Sequence, residues 1–430
     1  MVPRRFTVRK EYFGSLVYDR ERMDYIPFDA EATAVFRETA AGMPIEEVYS
    51  KFCAQKNSEQ TFKTFVALCQ SIGLLDENGV FSGDFIDNQA SEEQKCLSAP
   101  LKVHLQITNE CPLKCRHCSQ VHRDPSPREL SPKDIMHLID DLARTGVKEL
   151  VFGGGDPFCK EDLISLVAYA HSKGISPSIS SSGLFVSRAA AKKLSETPLK
   201  QIRISFDGSS EKSYDYYRGK GTYRRAVRGI KTIREIFSCP LVIHSVIMKT
   251  NIGELLSLFR AVQKMEADIW SVDFFRPLGS ASTLSNFVLS PDEAALVCRT
   301  LRRFSESSDI KIRIPAFPRG SAGRRLYEGF GCAAGITGCH IDSEGNVKPC
   351  GFFPQSYIAG NIRSASIRDI WLSSSVFREL RTLQGNDSCR TCPSYSSCRG
   401  GCRARCICGG LSPDSRDPLC PYAGSSSDLQ

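Results

Sequence analysis

The chain has 430 residues, 41% of them apolar, which suits two or three domains that each bury a core. Its net charge of +8 is spread along the sequence, without a basic face interleaved with aromatic platforms, so nucleic-acid binding is not expected. No apolar run reaches the roughly 18 residues of a membrane span, and the opening MVPRRFTVRKEYF lacks the apolar stretch of an export signal. Nineteen cysteines without export predict metal or redox chemistry in a reducing cytoplasm, not disulfides.

Residues 8–88 form the first segment. FGSLVYD and RMDYIPF, around the polar Arg20–Glu21, predict a hairpin. Asp29 caps a helix running to Ala40, which Gly42 stops, and a second helix begins near Pro44. A third, SEQTFKTFVALCQSIG, sets Phe62, Phe65, Val66, Cys69 and Ile72 on one face. Cys53 and Cys69 are expected in the core, where free cysteine is readily accommodated. The polar stretch 89–99 reads as a linker.

Residues 100–310 alternate six strand candidates (HLQIT, ELVFG, SPSIS, QIRISFD, LVIHSVIM, IWSVDFF) with amphipathic helices. In SPKDIMHLIDDLARTG, Ser131 is the N-cap, Pro132 occupies the first turn, and Ile135, Leu138, Ile139 and Leu142 share a face. Such βα units make a parallel sheet, and six of them suit a partial barrel with its chemistry at the C-terminal strand ends.

The informative residues fall at those ends. After the first strand, HLQITNECPLKCRHC places Cys111, Cys115 and Cys118 in a C-x3-C-x2-C loop. A cubic iron–sulfur cluster takes four thiolates, so three leave one iron open to a ligand; half a zinc site is the alternative. The second strand ends in Gly153-Gly154-Gly155-Asp156-Pro157 and the third in Ser181-Ser182-Gly183. The fourth ends in Ser205-Phe206-Asp207-Gly208, followed by YDYYRGKGTYRRAVRGI with Arg218 in its RGKG turn. His244 on the fifth strand reads as a core or rim residue, and Cys159 as structural.

Residues 320–430 hold ten cysteines: Cys332, Cys339, Cys350 (Gly345-x4-Cys350), Cys389-x2-Cys392-x5-Cys398-x3-Cys402, then Cys406, Cys408 and Cys420. A zinc ribbon would use four of them, Cys389 to Cys402, and leave the others without a role.

Together these motifs resemble the radical S-adenosylmethionine (SAM) enzymes. The resemblance implies a partial (β/α)6 radical SAM barrel in which Cys111, Cys115 and Cys118 hold a catalytic 4Fe–4S cluster. The open iron chelates SAM, and reductive cleavage yields a 5′-deoxyadenosyl radical. Gly154, Gly155 and Asp156 match a GGEP-like turn holding the SAM amino group, with Asp156 in place of Glu. His117 stands at a usually aromatic position against the adenine, and Ser181 lies near the ribose. Ser205 and Arg218 would contact the SAM carboxylate, which suits an arginine fork. The cysteine-rich segment resembles the SPASM extension and its two auxiliary 4Fe–4S clusters, three clusters in all. The first would use Cys332, Cys350 and Cys402 with Cys339 as fourth ligand, and the second Cys389, Cys392, Cys398 and Cys420. Cys406 and Cys408 receive no role.

The first segment resembles a winged-helix-like, PqqD-like leader-recognition domain, which adds a precursor peptide as a strand to its sheet; a purely structural module is the alternative. The three-part layout implies a maturase that forms a thioether or carbon–carbon cross-link in a ribosomally made peptide, with the thioether preferred and flavodoxin or ferredoxin as electron donor. Alternatives are action on a protein side chain, as in sulfatase maturation, or on a small molecule such as a tetrapyrrole. A cysteine-rich scaffold without catalysis would have no use for the strand-end motifs.

Overall fold

The computed structural model describes residues 3–53, 59–88, 95–120, 124–314 and 332–420. Part of the anticipated linker (89–94), both ends of the cysteine-rich segment (320–331 and 421–430) and the Cys53 side chain lie outside them.

The first module is a four-stranded sheet, ordered β3-β2-β1-β4, with three helices. Its strands are β1 (Phe6–Glu11), β2 (Gly14–Asp19), β3 (Asp24–Phe28) and β4 (Gly83–Ile86). The expected hairpin is β2–β3, with Tyr18 opposite Tyr25; β1 and β4, parallel to each other, are additional to it. Helix α1 (Ala30–Ala40) starts where Asp29 Oδ1 accepts from the Ala32 amide at 2.8 Å, and α2 (Ile45–Cys53) and α3 (Glu59–Ile72) follow. The apolar face of α3 is less buried than its spacing suggests. Only Cys69 is fully covered, while Phe62, Phe65, Val66 and Ile72 are half-buried. Phe65 packs on Phe36 and on Phe28 of β3, with ring centres 5.5 and 6.2 Å away.

β1 explains why the module is seated firmly on the rest of the protein. Arg9 and Glu11 are buried and paired at 2.6 Å. The Arg9 guanidinium also donates to the carbonyls of Ala99, Pro100 and Gly146 at 3.0–3.1 Å. Nearby, Tyr18 donates to Ser176 Oγ (2.7 Å) and Tyr25 to the Leu101 carbonyl (3.0 Å). A buried cation with its hydrogen bonds satisfied is tolerated; an unsatisfied one would not be.

The expected six parallel strands are present as β5 (Lys102–Gln106), β6 (Glu149–Gly153), β7 (Ser176–Ser181), β8 (Gln201–Ser205), β9 (Leu241–Ile247) and β10 (Ile269–Phe274). Alternation sorts their side chains. Val103, Leu105, Leu150, Phe152, Ile202 and Ile204 enter the main core, which the helices cover. His104, Glu149 and Arg203, on the opposite parity, line a cavity inside the sheet. Helix α4 (Pro132–Arg144) has the expected Ser131 cap, completed by Asp134 as a reciprocal capping box, and buries Ile135, Leu138, Ile139 and Leu142.

The sheet does not stop at the barrel. β11 (Lys311–Arg313) adds beside β10, and β12 (Gly338–Ile341), from the cysteine-rich segment, pairs in parallel with β5. β13 (Asn346–Lys348) and β14 (Gly360–Asn361) extend it to ten strands. The cysteine-rich segment is thus joined to the barrel by main-chain hydrogen bonds.

Candidate active site

β5 delivers the chain into the loop that carries Cys111, Cys115 and Cys118. The loop rests on the glycine turn after β6: Gly155 N donates to the Thr108 carbonyl and Asp156 N to the Glu110 carbonyl, both at 2.8 Å. A Cβ at Gly155 would stand 2.2 Å from the Glu110 oxygen and 2.3 Å from the Asn109 oxygen. At Gly154 it would stand 2.5 Å from the Thr108 oxygen, with φ at +154°. The glycines therefore make room for the cysteine loop itself, as well as bordering the cavity beyond.

That cavity, of about 270 Å³, is lined by the three cysteines together with His117, Gly154 and Gly155. Ser181, Ser205 and Arg218 complete the opposite wall. Of the seven residues expected at the SAM site besides the three cysteines, six line this cavity, and only Asp156 is absent from the lining.

Asp156 departs from its expected role as a cofactor contact. It is fully buried and accepts from Ser181 Oγ (3.0 Å), Ser182 N (2.9 Å), Ser182 Oγ (2.5 Å) and Phe158 N (3.1 Å). The carboxylate is taken up in clamping the turn after β6 to the turn after β7. Burial pushes its pKa up despite these donors.

Asp207 is the electrostatic centre of the site. Arg218, at the end of helix Glu211–Arg218, donates to Asp207 Oδ2 through Nε (2.7 Å) and approaches it through Nη2 (2.5 Å). His117 Nε2 lies 3.0 Å from the same oxygen, and Val246 N donates to Oδ1 at 2.8 Å. Burial pushes the Asp207 carboxyl up, but Arg218 and then His117 outweigh it and hold it well below the usual range. Arg218 is no surface ion pair: its side chain is 9% exposed, and Nη1 reaches toward Cys115 Sγ at 4.0 Å. His117 is held by its edge, and its buried Nδ1 has no partner among the described residues. His244 borders the same cavity and accepts from Arg203 Nη2 at 2.5 Å; burial drives its pKa down to about 3, so it is neutral.

A second cavity, of about 780 Å³, adjoins the first and shares Ser119, Gln120, Asp273, Arg276 and Phe352 with it. Cys332, Cys350 and Cys402 border it, and it extends past His104 and Arg203 to Asp24 and Tyr25 of β3. Cys339 also borders it, but its side chain belongs to the main barrel core. The other three cysteines instead gather round Ala334, Phe353, Leu380 and Ala404. The structure thus groups three of the four thiols expected at the first auxiliary site and sets Cys339 apart, on β12 opposite Val103. Cys389, Cys392, Cys398 and Cys420 line a third, small cavity, where Asn386 caps the turn bearing Cys389.

Among the described residues no three His, Cys, Asp or Glu side chains are drawn together around a single ion. A tetrahedral zinc site would need its sulfurs about 3.8 Å apart, from Zn–S bonds of about 2.3 Å. A four-iron cube distributes its thiolates over separate corners, and all-cysteine sets around cavities fit that group. Arg276 and Asp273, just beyond and at the end of β10, were not singled out in the sequence; they form an i, i+3 ion pair that borders both cavities.

No helix among the described residues is long and apolar enough to cross a membrane. Residues 105–262 match the family model described as the radical SAM superfamily, and 332–393 match the SPASM iron–sulfur cluster-binding domain. The AdoMet-dependent heme synthase of Oleidesulfovibrio alaskensis is 29% identical over 74% of this chain and 86% of its own. The mycofactocin maturase MftC of Mycolicibacterium smegmatis is 30% identical over 76% of this chain and 84% of its own. Among solved structures, Streptococcus suis SuiB bound to its precursor peptide SuiA superposes with a TM-score of 0.76 at 17% identity, over 97% of this chain and 99% of that one. With the cysteine loop, glycine turn and Arg218 gathered on one cavity at the strand ends, the chain belongs to the radical SAM superfamily, as an enzyme that binds an iron–sulfur cluster and SAM and carries a SPASM domain.

Proposed function

We propose that this enzyme modifies a ribosomally made precursor peptide, forming a thioether or carbon–carbon cross-link, with the thioether favoured. The observation that carries this reading is the first module. The fold likeness to SuiB, solved with a precursor peptide, extends over 97% of the chain and so includes that module. Its sheet ends at β3, whose outer edge has no partner strand among the described residues and lies beside α3 through the Phe28–Phe65 contact. A leader peptide pairing along β3 would gain backbone hydrogen bonds there, with half-buried aromatic side chains supplying selectivity. Asp24 and Tyr25 of the same strand border the 780 Å³ cavity, which gives the core peptide a route inward.

In this reading Cys111, Cys115 and Cys118 hold the catalytic 4Fe–4S cluster, and the Gly154–Gly155 backbone, Ser181, Ser205, His117 and Arg218 hold SAM. Bound together, cluster and SAM supply a hydrogen-abstracting carbon radical. Asp207 keeps Arg218 and His117 aimed, and Asp156 keeps the turns fixed. Cys332, Cys350 and Cys402 hold the first auxiliary cluster, and Cys389, Cys392, Cys398 and Cys420 the second, making three. A cytoplasmic flavodoxin or ferredoxin would donate the electron.

The test is anaerobic incubation with the peptide products of short reading frames that neighbour the gene. Modified peptide should lose two hydrogens per cross-link, and a leaderless version should react poorly. Equal turnover of both peptides removes the leader reading. The match to heme synthases over 74% of the chain favours a second reading, a tetrapyrrole substrate, for which a leader-binding module is superfluous; modification of a porphyrin and not of any peptide would establish it.

A further inference from the structure

Arg276 lies two residues beyond β10, where the two large cavities meet, and borders both. Its guanidinium is held on three sides. Nη1 and Nη2 donate to Asp273 Oδ2 and Oδ1 at 2.9 and 3.1 Å, a two-pronged fork. The Phe352 ring faces it, with Cζ 4.3 Å from the ring centre. Nη2 also points at Cys402 Sγ, 3.6 Å away. The side chain is 9% exposed, and Nε is buried without a partner among the described residues. A buried arginine with one donor left over is a costly element of a fold. Its placement makes sense if a negative charge arises on the sulfur side. Arg405 repeats the pattern from behind: it pairs with Asp417 at 2.5 Å and lies 4.0 Å from Asp273.

We propose that Arg276 is the positioning cation of the first auxiliary cluster, with its N–H aimed at Cys402 so that the reduced, more negative cluster is favoured. This rests on the reading that Cys332, Cys350 and Cys402 hold that cluster. Hydrogen bonds and charge at the sulfurs set the potential of such clusters. One electron adds one negative charge, and Arg276 offsets it from the side that faces the SAM cavity. A more easily reduced first auxiliary cluster is a better acceptor for the one electron given up when a substrate radical is oxidised. Asp273 holds the fork in place and moderates the effect.

The test is an EPR-monitored redox titration of the reconstituted full-length enzyme, with iron and sulfide measured per chain. Arg276→Met should make reduction of the first auxiliary cluster at least tenfold less favourable, a fall of about 59 mV for a one-electron couple. Arg276→Lys keeps the charge and should recover most of that. Asp273→Asn removes the counter-anion and should move the potential the other way. A fully loaded Arg276→Met protein with the wild-type potential overturns the proposal. Should that variant fail to load, Asp273→Asn decides: a rise supports the proposal, and an unchanged or lower potential overturns it. Cys402→Ala tests the ligand reading separately, because undiminished iron in that variant would show that Cys402 holds no cluster, whatever Arg276 does.

Discussion

Replacing Asp207 with Asn removes the charge on which the SAM cavity is organised. The carboxylate is fully buried and faces Arg218 Nε, Arg218 Nη2 and His117 Nε2 at 2.7, 2.5 and 3.0 Å. Breaking one member out of a buried ion pair costs roughly 3–5 kcal/mol. Asn keeps the shape and one acceptor oxygen, so the loss should lie near the lower bound, about 3 kcal/mol. If about half of it falls on the aim of Arg218, SAM binding weakens about tenfold, since about 1.4 kcal/mol is a factor of ten. The assays are denaturant unfolding and calorimetric titration with SAM, both anaerobic. A pH series adds a signed check. The folded Asp207 carboxyl sits below its unfolded value of about 3.9, because Arg218 and His117 outweigh burial. Its stabilisation is complete above that value and drains as pH falls toward the folded one, so the gap between wild type and variant should close in acid. A variant that unfolds within about 0.5 kcal/mol of wild type and binds SAM as tightly would refute the reasoning.

Gly155→Ala should displace the cysteine loop, whose carbonyls would stand 2.2 and 2.3 Å from the new methyl, and cost the catalytic cluster while the auxiliary ones load; iron content and EPR report this. Cys339→Ala should retain all its iron, because Cys339 packs in the barrel core, and lose only about 1 kcal/mol of stability to the small void. Cys350→Ala, by contrast, should lose iron. Arg9→Met strands Glu11 in the interface, so the first module should loosen by roughly 3–5 kcal/mol, read as faster amide exchange in β1. Replacing Arg9 and Glu11 together by apolar residues should recover most of that loss.

The barrel was legible because its determinants are local. Period-two strands, the Ser131 and Asp29 caps and the stripe on α4 all recur where the spacing placed them. Strand β1 was not, since the carbonyls that satisfy its Arg9 lie 90 or more residues away in the sequence. Spacing singled out the cysteines but not their direction. On β12 the parity of the strand sends Cys339 to the core, something a ligand count does not contain. The same limit applies to Asp156, whose acidity fitted a cofactor contact but whose carboxylate is taken up by Ser181, Ser182 and the Phe158 amide.

The pairing of β12 with β5 has a consequence for biosynthesis. Lys102 of β5 must wait for Gly338, more than two hundred residues later on the ribosome, before its open flank is covered. Contacts so distant in sequence form late, and an unpaired strand is a template for unwanted association meanwhile. The nascent barrel therefore emerges with one raw side, next to the loop that carries Cys111, Cys115 and Cys118. A protein cut short before residue 338 would keep Cys111, Cys115 and Cys118 and still be prone to aggregate.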